Sequence, residues 1–439
     1  MLFRRYGTFT GGIDLPEEKH ATLDVPIRRP PPPQRLRVPL APCGKSAAKP
    51  VVKPGHQVTA GQRIARAVDA TCADVFAPLS GKVGPTTAVQ VATAAGFVAS
   101  PAIELTDLSA EQFPPTCESS HNWQHAEPSA LRQRLAEGGL TTCHHRLEPL
   151  SVWLDRALSN CCRTLIANVM ENQPYLTAEH RLMVEHGPEV IVGLAILARA
   201  MEVSEIVLAA DWRRRSRYRH IAGAAGRYNI SSIGLPHKYP IGADKILVKV
   251  LTRRESPPGA STTAVGAAVV SASTCLAVCW WVACGTPATH RVLTVSGEMA
   301  EECGNFLVPQ GTACAEIAQS STQPLIHGGP MVGLECTADA VVTAATDALL
   351  AIEPMPFEPA GTCIRCGWCT DHCPARLNVA ALNDAFELGM VDLARRAGVR
   401  ACLECGVCSY VCPARLPLTS RLKQLKRAVN YGKRNHNRR

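Results

Sequence analysis

Two stretches near the end of the chain constrain it more than anything else in the sequence. Cys363-Ile-Arg-Cys366-Gly-Trp-Cys369-Thr-Asp-His-Cys373-Pro374 is a C-x2-C-x2-C-x3-C-P run, and Cys402-Leu-Glu-Cys405-Gly-Val-Cys408-Ser-Tyr-Val-Cys412-Pro413 repeats it. A close triplet followed by a fourth cysteine and a proline is the pattern that holds a four-iron, four-sulfur cubane, which needs four thiolates arriving from different directions. Gly367 and Gly406 let the backbone turn close to the sulfurs, where amide N–H groups can bond to them. Pro374 and Pro413 stop the chain from running on into a helix before the fourth ligand is placed. Zinc sites commonly use two separated pairs, not two identical runs of four with trailing prolines.

In two-cluster ferredoxins the fourth cysteine of each run binds the other run's cluster. By that similarity Cys363, Cys366, Cys369 and Cys412 belong to one cluster, and Cys402, Cys405, Cys408 and Cys373 to the other. Such clusters are one-electron relays, so electron transfer is the expected chemistry. Leu377 to Arg400, between the runs, reads as two short helices. The chain has 20 cysteines, and the rest form no second patterned set. Cys275, Cys279 and Cys284 sit in an uncharged Ala/Val/Trp stretch and read as core. The opening MLFRRYGTFTGG lacks the apolar segment of a signal peptide. The compartment is therefore read as reducing, and the thiols as ligands or small buried hydrophobes.

A length of 439 residues predicts several domains, and 46% apolar with only 5% aromatic residues predicts aliphatic, alanine-rich cores. The net charge of +9 is concentrated: nine Lys and Arg lie between Arg415 and Arg439 with no acid among them. No zinc-finger spacing or aromatic-studded basic groove accompanies that charge, so nucleic acid is not an expected partner. Leu418, Leu422, Leu425 and Val429 recur at helical spacing within this basic tail, residues 416–439. Two readings fit: a helix lying on a membrane or partner subunit, or a terminal helix packed by its leucines onto the cluster domain.

The remaining organisation changes along the chain. Residues 1–40 are proline-rich, with Pro30 to Pro33 consecutive, and read as an extended strap. Residues 41–105 alternate valines with turn residues and resemble the barrel-sandwich fold of lipoyl and biotinyl carriers. Arg66 to Pro78 contains no lysine, so no swinging arm is expected. Residues 130–290 alternate strands and helices: Thr164–Val169, a helix from Thr177 to Met201, Ile206–Ala210, and a basic helix from Arg213 to Arg227. This order predicts a parallel, Rossmann-like α/β sheet, which binds nucleotides at the carboxyl ends of its strands. Residues 256–289 carry no charge. Val265 to Gly285 is long enough to span a bilayer, but its Gly, Ala, Ser and Thr favour a buried strand and core helix. Residues 291–350 fit a β-grasp unit, residues 354–360 a linker, and residues 360–415 the ferredoxin-like two-cluster domain.

In this order the parts resemble the C-subunit family of Rnf-type ion-translocating ferredoxin:NAD oxidoreductases, relatives of the flavin-bearing subunit of respiratory complex I. The resemblance covers essentially the whole chain. It is carried by Gly11-Gly-Ile-Asp-Leu-Pro16-Glu-Glu-Lys19, Lys49-Pro-Val-Val-Lys53-Pro-Gly55, Ala77-Pro-Leu-Ser-Gly81, Lys238-Tyr-Pro240, His327-Gly-Gly-Pro-Met331 and both cysteine runs. It implies a peripheral subunit on the cytoplasmic side of the cell membrane. Its partners would be sister subunits that cross the membrane, with ferredoxin or NAD(H) as redox partner. The resemblance also implies FMN and NAD(H) binding in the middle domain, through Gly138, Gly139, Glu171, Tyr175 and Lys245.

The sequence departs from the family in that middle domain. The glycine-rich loop, roughly G-x-G-G-A-G-F-P-T in the family, is reduced to Glu137-Gly-Gly-Leu-Thr-Thr142. The N-G-A-E-C-E-P-Y segment becomes Asn168-Val-Met-Glu171-Asn172-Gln173-Pro174-Tyr175, so its second acid is an amide. Y-P-x-G-G-E-K becomes Tyr239-Pro-Ile-Gly-Ala-Asp-Lys245. Together these changes point to a weakened or lost flavin–nicotinamide site. Three readings follow: a subunit passing electrons between NAD(H), FMN and two [4Fe-4S] clusters; a relay or docking subunit without nucleotide chemistry; and a flavoprotein akin to corrinoid reductases.

Overall fold

The computed structural model describes residues 4–109, 122–142, 147–319, 324–353 and 359–436. Part of the expected linker, residues 354–358, and the end of the basic tail, residues 437–439, lie outside these.

The expected parallel sheet forms in the middle of the chain. Its strands run in the order Arg4–Arg5, Ser231–Leu235, Glu205–Asp211, Thr164–Val169, Ala267–Ser271, and every neighbouring pair is parallel. Thr164–Val169 and Ala267–Ser271 are buried at every position, because helices cover both faces. On one face Gly187–Met201 and Ala272–Cys284 pack with Pro128–Glu137 and Leu150–Ser159 in the largest core of the chain. On the other, Asp244–Thr252 closes a smaller core around Ile166, Val207 and Leu247. The uncharged stretch is thus a central strand followed by a core helix, and no helix among the described residues is long and apolar enough to cross a membrane.

Three details differ from the sequence reading. The helix expected from Thr177 to Met201 is two helices, Ala178–Glu185 and Gly187–Met201, broken at His186, where Gly187 and Pro188 restart the ladder. The basic segment is a 3-10 stretch, Trp212–Ile221, ahead of a short helix, Ala222–Arg227. Cys284, read as a plain core thiol, is disulfide-bonded.

Upstream of the parallel sheet lie two smaller antiparallel sheets. One orders Leu36–Pro39, Gly96–Thr106, Gly81–Thr93 and Gln57–Val58; the other orders Lys49–Pro50, Arg63–Arg66 and Val75–Phe76. Their inward residues, among them Leu36, Ile64, Val83 and Leu105, share one core. Downstream, a mixed six-stranded sheet runs Leu334–Glu335, Ile326–His327, Ala348–Leu350, His290–Ser296, Gly304–Pro309, Ile27–Arg28. A final helical unit carries both cysteine runs and is closed by the helix Leu418–His436.

The strap is not confined to a surface. Arg4–Arg5 extends the parallel sheet, Ile27–Arg28 the mixed sheet, and Leu36–Pro39 the first antiparallel sheet. Between these pairings the Gly12 N–H donates to the His372 carbonyl of the helical unit at 2.8 Å. An extended, proline-rich segment leaves its backbone groups without partners of its own, and here sheet edges supply them.

Gly193 marks the closest helix contact. A Cβ there would lie 1.7 Å from the Cys275 carbonyl oxygen, whereas one at Gly223 would meet nothing within 4 Å. We expect Gly193→Ala to destabilise the α/β unit by about 3 kcal/mol through overpacking. Gly223→Ala should stabilise it by about 0.5–1 kcal/mol, as removal of a helix glycine does. Urea midpoints followed by tryptophan fluorescence check both, and equal effects would contradict this packing.

Candidate metal centre and the strand-end crevice

The two cysteine runs fold alike. Each turns through positive φ at matching positions: +58° at Arg365 and +59° at Glu404, +83° at Gly367 and +85° at Gly406, +54° at both Arg376 and Arg415. Non-glycine residues adopt this region at a cost of roughly 1–2 kcal/mol, so the matched conformations are held by something specific. That something is visible around the sulfurs. The Leu377 N–H points at Cys373 Sγ and the Glu404 N–H at Cys402 Sγ, each at 3.4 Å, and the Val407 and Ser409 amides serve Cys405 and Cys408. Each run then enters a short helix, Trp368–Asp371 or Val407–Tyr410, followed by a longer one. Those longer helices, Val379–Glu387 and Leu418–His436, are capped by Asn378 on the Ala381 N–H and by Ser409 on the Thr419 N–H.

One cavity is lined by Cys363, Cys366 and Cys369 together with Cys412, which arrives from the second run. Cys373 correspondingly lies within electrostatic reach of Cys405 and Cys408. Among the described residues no three Cys, His, Asp or Glu side chains converge on one point as a single ion requires. Four sulfurs around a cubane stand farther apart than that; the cavity walled by Cys363, Cys366, Cys369 and Cys412 fits such a cluster, and the amides point at the sulfurs of the other set. Burial pushes the Cys402 and Cys405 thiols up to about 12, so binding iron there means displacing their protons.

The two sets differ in exposure. Around the first, Cys366 is exposed, and Ile364 and Trp368 stand 67% and 53% exposed. The second faces inward. Tyr239 Oη donates to the Cys405 carbonyl at 2.6 Å, and Val407 is buried with Leu15 and Tyr239. Gly406 sits so close to Met331 that a Cβ would come 2.5 Å from its carbonyl oxygen. The basic helix packs Leu418, Leu422, Leu425 and Val429 into this unit's core, so these leucines do not form a free membrane-facing stripe.

The residues expected to hold flavin and nicotinamide are each engaged elsewhere. A Cβ on Gly138 would collide with the Trp281 indole at 2.5 Å, and one on Gly139 with the Asp74 carbonyl at 2.5 Å and the Phe76 ring at 2.9 Å. These glycines admit protein rings. Residues 143–146, which continue that loop, lie outside the described residues. The Glu171 carboxylate accepts the Glu179 and His180 N–H groups at 2.9 and 2.8 Å, capping the helix Ala178–Glu185, whose flanking Thr177 makes no side-chain cap bond. Burial raises the pKa of Glu171. Tyr175, at φ +68°, donates its hydroxyl to Glu298 at 2.6 Å. Lys245 Nζ lies 3.4 Å from the Pro257 carbonyl.

The strap adds to this. Lys19 is buried at the strand ends and donates to the Glu171 carbonyl, and burial lowers its pKa to about 8. Glu17 pairs with Arg213 and Arg214 beside it. The amides of the same motif hold loops together: Asn168 donates to the Gly242 carbonyl at 2.9 Å, Asn172 to the Lys238 carbonyl at 3.0 Å, and Gln173 accepts the Met331 N–H at 3.2 Å. The sequence reading missed this role, although the amide Gln173 in place of an acid was its signal. Among the described residues, then, Gly138, Gly139, Glu171, Tyr175 and Lys245 each meet a protein neighbour.

Comparison with known proteins agrees with this architecture. Family models match in three places: the RnfC barrel sandwich hybrid domain at residues 7–107, the Nuo51 FMN-binding domain at 148–280 and the 4Fe-4S dicluster domain at 355–413. The C-subunit of the ion-translocating oxidoreductase complex of Rhodobacter capsulatus is 32% identical over 91% of this chain and 79% of its own. The C-subunit of the proton-translocating ferredoxin:NAD(+) oxidoreductase complex of Clostridium ljungdahlii is 29% identical over 89% of this chain and 86% of its own. Among solved structures, an NAD+-reducing [NiFe]-hydrogenase shares 16% identity over 71% of this chain and 67% of that chain, with a TM-score of 0.47, and bears on nothing below. Sequence, folded order and relatives agree: this chain belongs to the C-subunit family of ion-translocating oxidoreductase complexes.

Proposed function

We propose that this chain is the electron-relay subunit of an Rnf-like complex and carries two [4Fe-4S] clusters. Cys363, Cys366, Cys369 and Cys412 hold the outer one, and Cys402, Cys405, Cys408 and Cys373 the inner one. Each cluster supplies reversible one-electron storage. The protein fixes the sulfurs, aims amides at them and shields the inner site from water. Electrons would pass between ferredoxin, or NAD(H) and flavin, and the membrane subunits, with the chain docked peripherally on the cytoplasmic side. The single observation that carries this reading is Cys412 lining the first run's cavity. In the same reading the parallel sheet is a Rossmann-like domain (130–290), the mixed sheet a β-grasp domain (291–350) and the cysteine unit a ferredoxin-like domain (360–415).

A relay without flavin chemistry is the second reading, favoured by the Trp281 and Phe76 rings against Gly138 and Gly139. Anaerobically purified protein should hold roughly eight irons and eight acid-labile sulfides per chain under either reading. Bound FMN bleached by NADH would sink the second. Cys373→Ser should remove about half the iron, and the lost signal should be that of the cluster held by Cys402, Cys405 and Cys408. Loss of the other cluster's signal would refute the cross-run assignment.

Glu171 separates the readings through stability. As a helix cap, its replacement by Ala should cost about 1–2 kcal/mol in flavin-free protein. An unchanged urea midpoint would return the carboxylate to a ligand role.

A further inference from the structure

We propose that Lys426 sets the reduction potential of the inner cluster, raising it against the burial that would otherwise depress it; this rests on the two-cluster reading above. A cluster that accepts an electron gains negative charge, and taking that charge out of water disfavours the reduced form. The inner set is the more enclosed, packed under Tyr239, Met331 and Leu15, while the outer set opens to solvent beside Ile364 and Trp368. Left uncompensated, this difference would make the inner cluster the harder of the two to reduce.

Lys426 projects from the closing helix to the inner site. Its Nζ donates to the Cys402 carbonyl at 2.8 Å and to Glu404 Oε1 at 2.6 Å, with the side chain 22% exposed. The Glu404 N–H in turn points at Cys402 Sγ, so amine, carboxylate and ligand loop form one unit. The charged pair beside the outer set has the opposite arrangement. There the cation follows the first cysteine, as Arg365, and the acid, Asp384, is on the helix. Arg365 is 63% exposed and its side-chain hydrogen bond goes to Asp384, not to a cysteine carbonyl. Solvent screens that pair. The half-buried ammonium group bonded to a ligand's own peptide thus lies at the inner cluster, where the need to offset burial is greater.

The test is a redox titration of the full, cluster-loaded chain followed by EPR, with Cys373→Ser assigning the inner signal. Lys426→Gln should move the inner midpoint to more negative potential, cutting the reduced-to-oxidised ratio at the wild-type midpoint at least about threefold. Lys426→Arg should restore it, and Glu404→Gln should shift it the other way by removing the opposing charge. The outer signal should stay in place throughout. An unmoved inner midpoint in both Lys426→Gln and Glu404→Gln, or equal shifts in both clusters, would overturn the proposal. Loss of inner-cluster iron in Lys426→Gln would also overturn it, making the lysine a strut and not a tuner. A wild-type chain lacking any iron–sulfur signal would instead fail the two-cluster reading itself.

Discussion

Unpaired backbone groups on an extended thread must find partners, and in this chain their partners belong to every folded unit. The thread gives two residues to the parallel sheet, two to the mixed sheet and four to the first antiparallel sheet, and it bonds to the cysteine unit through Gly12. No unit owns it. Each such hydrogen bond contributes only about 1 kcal/mol net, but leaving a buried donor unmade costs more, so the units are held in register by mutual need. Side chains reinforce the stitching. Glu185 accepts the Ile27 N–H at 2.9 Å while gripped by Arg181, and Asn305 donates to the Thr22 carbonyl at 2.9 Å.

At the ends of the parallel strands, amide side chains tie the α/β unit, by way of two loops, to the cysteine unit. Asn168, Asn172 and Gln173 fasten the loops that carry Tyr239 and Met331, and those two residues are what the inner cysteine loop rests on. An amide suits this seam better than a carboxylate would, since it can donate to a carbonyl or accept an N–H without bringing a charge into a half-buried place.

Legibility in the sequence followed how local each determinant was. The cysteine runs were readable because a cubane dictates ligand spacing along a few residues, and the central strands because two buried faces demand an unbroken apolar run, as in Thr164–Val169. The strap's destination was not readable, since pairing with a sheet edge leaves no periodicity in a proline-rich segment. Nor was the cap at Glu171: the acid lies well ahead of the helix it serves, and Thr177 is the residue that local capping rules select. The tail's leucines satisfied two readings because a helix presents the same stripe to a bilayer and to a neighbouring core.

The bond between Gly12 and His372 has a consequence for how the molecule comes into being. A ribosome makes Gly12 long before His372, so this bond of the thread closes only after the units between them have been made. The neighbour of His372 is Cys373, which the proposed cross-run assignment makes a ligand of the inner cluster. Under that proposal, loading of the inner cluster and seating of the thread would share one stretch of backbone, and metal arrival and chain closure would be steps of the same maturation.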